Sequence, residues 1–165
     1  MALTTGRNPD IETSAYGEVM NRVAQQVIDL NLPSILSRIY VLKRAFDQSL
    51  LKPEFLPCCV ISMAPETATD TEGPVNTSTV HYPVLISLVW GSDRGQRENW
   101  GTQLLQRQQV ARAFRKTRPT WAAMTHCTLK KTTVRSGEPF IDEATRQALD
   151  AQWLLIDVLV TEQLG

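Results

Sequence analysis

The side chains able to do acid–base, nucleophilic or metal chemistry are few in this 165-residue chain. The histidines are His81 and His126, and the cysteines are Cys58, Cys59 and Cys127. A site drawing on His81, His126, Cys58 and Cys127 would offer mixed nitrogen and sulfur donors. Their spacing matches no zinc motif, so ordinary core or surface positions are expected instead. Gly-x-Ser-x-Gly, His-Glu-x-x-His and a phosphate-cradling glycine loop are all absent from the sequence. Asp157 sits in the apolar run QWLLIDVLVT, where desolvation would raise its proton affinity and suit it to acid–base work. The ordinary alternative is a place at an interface or at the sheet margin. The expectation is therefore a chain that is not an enzyme and carries no cofactor and no metal.

The cysteines read the same way. Three is an odd number, and neighbours on a strand point to opposite faces, so Cys58 and Cys59 make a poor disulfide framework. They read as small buried apolar residues in a reducing compartment.

Charge says more than chemistry. Lys plus Arg and Asp plus Glu are 17 each, for a formal net charge of zero. The molecule as a whole is thus neither a nucleic-acid sponge nor an acidic tail. Between Glu98 and Glu138 there is no acid, while Arg107, Arg112, Arg115, Lys116, Arg118, Lys130, Lys131 and Arg135 all fall there. Acids collect at Glu66, Asp70 and Glu72, and again at Glu138, Asp142, Glu143 and Asp150. Opposite patches on one chain suit head-to-tail self-association, with Glu66, Asp70, Glu72, Asp142 and Glu143 as interface acids. The competing readings are a solvated helix face and contact with phosphate. Of four tryptophans, Trp90 and Trp153 on strand-like runs are candidate interface anchors, against a default of core packing.

The elements that would position these residues can be read in order. Residues 1–15 are polar and predict an irregular or extended arm, and 16–165 form a single domain. Val19, Val23 and Val27, flanked by Met20, Ala24 and Ile28, predict a helix from about Tyr16 to Leu30. SRIYVLK (37–43) and Cys58 to Met63 predict strands, with 45–55 ambiguous. Residues 65–79 are too polar to pack and predict a long hairpin tip. Val80 to Trp90 is apolar on both parities, which predicts a strand covered on both faces. Gly91-Ser92-Asp93 ends it, and Asp93 with Gln96 resembles a capping box. A helix follows from Trp100, its apolar stripe falling at 100, 104, 105, 110, 111 and 114. Thr125 to Arg135 and Gln152 to Thr161 predict the last strands, the second again apolar on both faces.

This order predicts an α+β fold: a mixed or antiparallel β-sheet of about four to five strands, two helices packed on one face, and a long polar hairpin loop. Two helices cover one face only. A neighbouring subunit would cover the other, unless the arm or residues 45–57 do. The chain shows neither a leader peptide nor a run of 18 apolar residues.

The order of helix, strand, Leu56-Pro57-Cys58-Cys59-Val60-Ile61, Thr-rich loop, long strand, amphipathic helix and two strands resembles the tail-terminator proteins of long-tailed bacteriophages. It is similar also to related minor tail and neck-completion proteins, over about 16–162. The resemblance implies a ring, usually hexameric, that stops tail-tube polymerisation and joins tail to head. Its partners would be further copies of itself, the tail tube and the neck or connector, with genomic DNA passing through the lumen without sequence-specific binding. Its place would be the virion, after assembly in the host cytoplasm, with no membrane contact. The loop 65–79 would face tube or neck, and the acid-free span would supply inter-subunit or lumen charge. The alternative reading is a small nucleic-acid-binding domain whose sheet stacks bases on Tyr82 and Trp90.

Overall fold

The computed structural model describes residues 6–33, 35, 38–45, 53–64, 70–71, 77–90, 100–115, 121–135 and 150–163. The elements are α1 (Ala15–Asp29), β1 (Ile39–Ala45), β2 (Cys58–Met63), β3 (Asp70–Thr71), β4 (Thr77–Trp90), α2 (Trp100–Arg115), β5 (Cys127–Arg135) and β6 (Asp150–Gln163). Single 3-10 turns lie at Pro9–Ile11 and Pro53–Phe55. The strands form one mixed sheet in the order β1-β2-β4-β6-β5, with β3 beside the start of β4. β1 and β2 are parallel; every other pairing is antiparallel. The fold is α+β, as the sequence predicts.

The sheet is built around β4 and β6, which pair without a break from Thr77↔Gln163 to Trp90↔Asp150. One face carries Val80, Val84, Ile86, Leu88 and Trp90 of β4 with Leu154, Ile156, Val158 and Val160 of β6. Both helices pack here, over a core extended by Ile39, Val41, Cys59 and Ile61. β4 begins at Thr77, and Asp70–Thr71 already pair with it, so part of the predicted loop is strand. The remainder of 65–76 lies outside the described residues, as do the Gly91 turn, the Asp93–Gln96 box and 136–149.

Ser14 caps α1, its hydroxyl accepting from the Gly17 N–H at 3.1 Å. The helix buries Val19, Met20, Val23, Ala24 and Val27, the stripe read from sequence. Asn31 ends it at φ 49°, a left-handed position that asparagine tolerates.

A second row, spaced by four, does polar work. The Glu18 carboxylate accepts from the Thr125 and His126 N–H groups, both at 2.9 Å. Arg22 donates to the Ala123 carbonyl at 2.9 Å. Gln26 donates to the Ala113 carbonyl at 2.8 Å and accepts from the Trp121 indole at 2.7 Å. Burial alone would push the Glu18 carboxyl up. The backbone N–H groups of His126 and Thr125 outweigh it, helped by the Thr125 hydroxyl and the His126 charge, and hold it below its ordinary 4.5.

α2 differs from its sequence reading. Val110, Ala111 and Phe114 are buried as expected, but Leu104 is 44% and Leu105 53% exposed, while Gln103 and Gln106 are buried. The helix is anchored at its C-terminal end, where the Phe114 carbonyl accepts from the Thr132 hydroxyl at 2.8 Å. Leu105 lies nine residues from Phe114, about 180° around the helix, and so faces away from the sheet. The anchor fixes the rotation, and the two glutamines fall on the inner side.

The arm, expected to be irregular or extended, is packed from Gly6 onward. Gly6 bridges to Tyr40 in parallel register, at φ +85°, a region that favours glycine. Its N–H donates to the Ile39 carbonyl at 2.6 Å, and the Asn8 amide donates to the Val41 carbonyl at 3.4 Å. Asn21, fully buried on α1, accepts from the Asn8 N–H at 2.8 Å, and its amide donates to the Asn8 carbonyl and to Glu12. The arm thus meets the outer edge of β1 over Ile39–Val41.

Gly17 marks where the Pro9–Ile11 turn meets α1. A Cβ there would stand 1.6 Å from the Ile11 carbonyl oxygen. Gly17→Ala should lower stability in a urea melt, because an overpacking cost of about 1–3 kcal/mol exceeds the roughly 1 kcal/mol of helix propensity gained. Glu18→Gln should cost about 1.5 kcal/mol at neutral pH, the low end for hydrogen bonds to a charged group. A carboxyl lowered by folding stabilises fully above 4.5 and loses that contribution as pH falls through its folded value. The variant should therefore lose less stability than the wild type on acidification below pH 4.5, as melts across that range would show.

Candidate functional site

The sheet face away from the helices is divided. Toward β1 it is closed by the chain's own residues. Tyr40, Leu42, Cys58, Val60 and Val89 are buried together under Phe55 and Leu56. Tyr40 and Phe55 meet edge to face with centroids 5.8 Å apart. The alternative cover foreseen for this face, residues 45–57, thus supplies part of it.

Toward β5 the same face is open and polar. Three rows cross β4, β6 and β5: His81–Leu159–Lys131, Pro83–Asp157–Thr133 and Leu85–Leu155–Arg135. Lys131, Thr133 and Arg135 are exposed; Trp153, Leu155 and Leu159 are half-buried. Asp157 stands at the centre, 8% exposed, with its Oδ2 3.1 Å from His81 Nδ1 and 3.1 Å from an Arg135 guanidinium nitrogen. Both partners reach it diagonally across the rows, as same-face neighbours on adjacent strands can. This pairing is what lets an aspartate sit in an apolar strand. The hydroxyls of Ser62 and Ser87 and the Trp153 indole N–H are buried on this face and find no hydrogen-bond partner among the described residues.

β5 is the outer strand on this side and, among the described residues, pairs only with β6. It is broken by a register shift between Leu129 and Lys131. Lys130, Lys131 and Arg135 are exposed along it. α2 packs on its other face, with Arg112 and Arg115 exposed and Arg107 half-buried. Among the described residues, Arg112, Arg115, Lys130 and Lys131 form no ion pair. The nearby carboxylates are engaged: Glu18 with Thr125 and His126, Glu162 with the Tyr82 hydroxyl. The structure so gathers six of the eight predicted cations around one strand and helix. Lys116 and Arg118 lie outside the described residues, as do Glu66, Glu72, Asp142 and Glu143; Asp70 is placed by its backbone in β3.

The two tryptophans separate. Trp153 is half-buried on the open face, but Trp90 is 4% exposed in the helix-side core and is corrected from interface anchor to core residue. It takes the same parity of β4 as Ile86 and Leu88, which α1 and α2 cover. Tyr82, half-buried, packs against that core too, its ring at 75° to that of Tyr16 with centroids 4.6 Å apart.

The thiols are withdrawn from reaction. Cys59 and Cys127 lie on the helix side and Cys58 in the far cluster, all free and buried. Burial pushes the Cys58 thiol up to about 12, and burial with the Glu18 and Glu162 charges does the same for Cys127. Among the described residues no three His, Cys, Asp or Glu side chains are grouped to hold a metal ion, and no helix is long and apolar enough to cross a membrane. Sequence reasoning missed the His81–Asp157–Arg135 cluster. Asp157 itself was visible as a charge in an apolar strand, but its partners are set by strand register. No family model matches the chain, and no curated protein matches it.

Asp157→Asn should cost about 1.5–3 kcal/mol, since it strips the charge from a nearly buried acceptor of two hydrogen bonds. Arg135→Gln should cost under about 1 kcal/mol, because the Arg135 side chain is more than half exposed and its charge is screened. Urea melts of the two variants at neutral pH and low salt would show the difference.

Proposed function

We propose that this chain is a structural subunit that closes into a ring, of the kind that ends the tail tube of a long-tailed bacteriophage and joins it to the head. The observation that carries the proposal is the uneven closure of the sheet. The start of its β1 edge is met by the chain's own arm, and the adjoining half of the outer face is covered by Phe55 and Leu56. Among the described residues nothing pairs with the outer edge of β5, and its half of that face has Trp153, Leu155 and Leu159 half-buried, with cations around them that form no ion pair among those residues. A surface of that kind on one side only favours a directional contact between copies. Directional contacts repeat, and close into a ring when the rotation between copies divides the circle.

On this reading the work done is geometric. One side of the ring matches the last layer of the tube, and the other side offers no edge on which a further tube subunit could add. Cations of the span 99–137 not used between subunits would face the lumen and the DNA within it, contacting phosphate without reading bases. Light scattering with negative-stain electron microscopy tests the proposal. The expected result is closed rings of one mass that bind isolated tail tubes. A monodisperse monomer at high concentration that also fails to bind tubes would contradict it.

A further inference from the structure

Beyond the ring reading, and without depending on it, we infer that the outer face of α2 receives an acidic amphipathic helix of a partner protein. α2 is inverted relative to an ordinary amphipathic helix. It buries Gln103 and Gln106, while Leu104 and Leu105 are 44% and 53% exposed. At 100° per residue, Gly101, Leu105, Gln108 and Arg112 fall within about 60° of one another, on the side opposite Phe114. All four are exposed, and the exposed Leu104 and Arg115 border the row. Intervals of four, three and four are those of a heptad seam, along which a second helix can lie. The start of the row is open, since a Cβ on Gly101 would meet nothing within 4 Å beyond the helix itself.

Charge selects the occupant. From Trp100 to Arg115 there is no Asp or Glu, and Arg112 and Arg115 form no ion pair among the described residues. The α2 of a second copy is therefore disfavoured. Laid parallel, it sets Arg112 against Arg112. Laid antiparallel, it brings the arginines of each copy to the first turn of the other, where the helix dipole is positive. Among the described residues the exposed acids are Asp10, Asp29 and Glu54, on three separate elements, so no one of those elements offers a second copy's α2 two carboxylates. A nucleic-acid backbone satisfies the arginines but leaves the leucines without an apolar partner. A helix with an apolar row and carboxylates beside it meets both needs. Its apolar row removes Leu104 and Leu105 from water, and its carboxylates pair with Arg112 and Arg115. From Gly101 to Arg112 the row is about 17 Å long, so roughly three turns of partner helix cover it. A segment that short is marginal alone in water and folds as it docks.

The probe is a fluorescein-labelled synthetic helix of about three heptads, with Leu at the seam positions and Glu beside them. Its binding to the full chain is read by fluorescence anisotropy, next to the same peptide with Lys for Glu and a short DNA duplex. Two variants change only exposed side chains: Leu104→Ser with Leu105→Ser, and Arg112→Glu with Arg115→Glu. Circular dichroism checks that each is folded. The wild type should bind the Glu peptide and not the Lys peptide. Each variant should weaken that binding roughly tenfold or more, and the arginine reversal should take the Lys peptide instead. The oligomeric state should be the same in all three proteins. A wild type that binds neither peptide, or a folded leucine variant that binds as the wild type does, would overturn the inference. DNA binding that is lost with the arginines and kept without the leucines would overturn it in favour of nucleic acid. An oligomeric state changed by the leucine substitutions would overturn it in favour of a second copy.

Discussion

The constraint on which the structure turns is that β4 and β6 are apolar on both parities and pair along their whole length. Neither strand can face water on either side without exposing aliphatic surface, and each buried aliphatic side chain is worth about 1.5–3 kcal/mol relative to exposure. One side is met generously, by two helices. The other is met in halves, by Phe55 and Leu56 at the β1 end and by an ion-paired, half-open surface at the β5 end. What the molecule leaves uncovered follows from this division.

The helices hold their places by polar contacts as much as by apolar ones. The row Glu18, Arg22 and Gln26 fastens the segment 121–126 and the end of α2 onto α1, each through backbone groups. Asn21, one row over, does the same for the arm.

Much of this could be read from the residues. The stripe of α1, the runs of β2, β4 and β6, and the opposite faces of Cys58 and Cys59 all follow from local periodicity, and the structure has them. What local periodicity cannot carry is rotation and register. Leu104 and Leu105 look like core residues until the distant Thr132 anchors Phe114. The arm looks loose because Gly6 and Asn8 find their partners only in β1 and α1. Trp90 looks like an anchor for a partner because nothing nearby in sequence tells which face the helices choose. His81 and Asp157 are 76 residues apart and meet only through strand pairing. The uneven spread of charge was legible. The strand edge around which the cations gather was not.

One edge met at its start by the chain's own arm and one left for a neighbour is the claim on which the functional account stands. Hydrogen exchange of the backbone amides, followed in dilute protein and at assembly concentrations, tests it most directly. The account predicts that β1 amides are slow in both conditions, whereas outward amides of β5 exchange quickly when dilute and slow sharply on assembly. Outward β5 amides that are already slow in dilute monomer, or that stay fast in the assembled state, would contradict it.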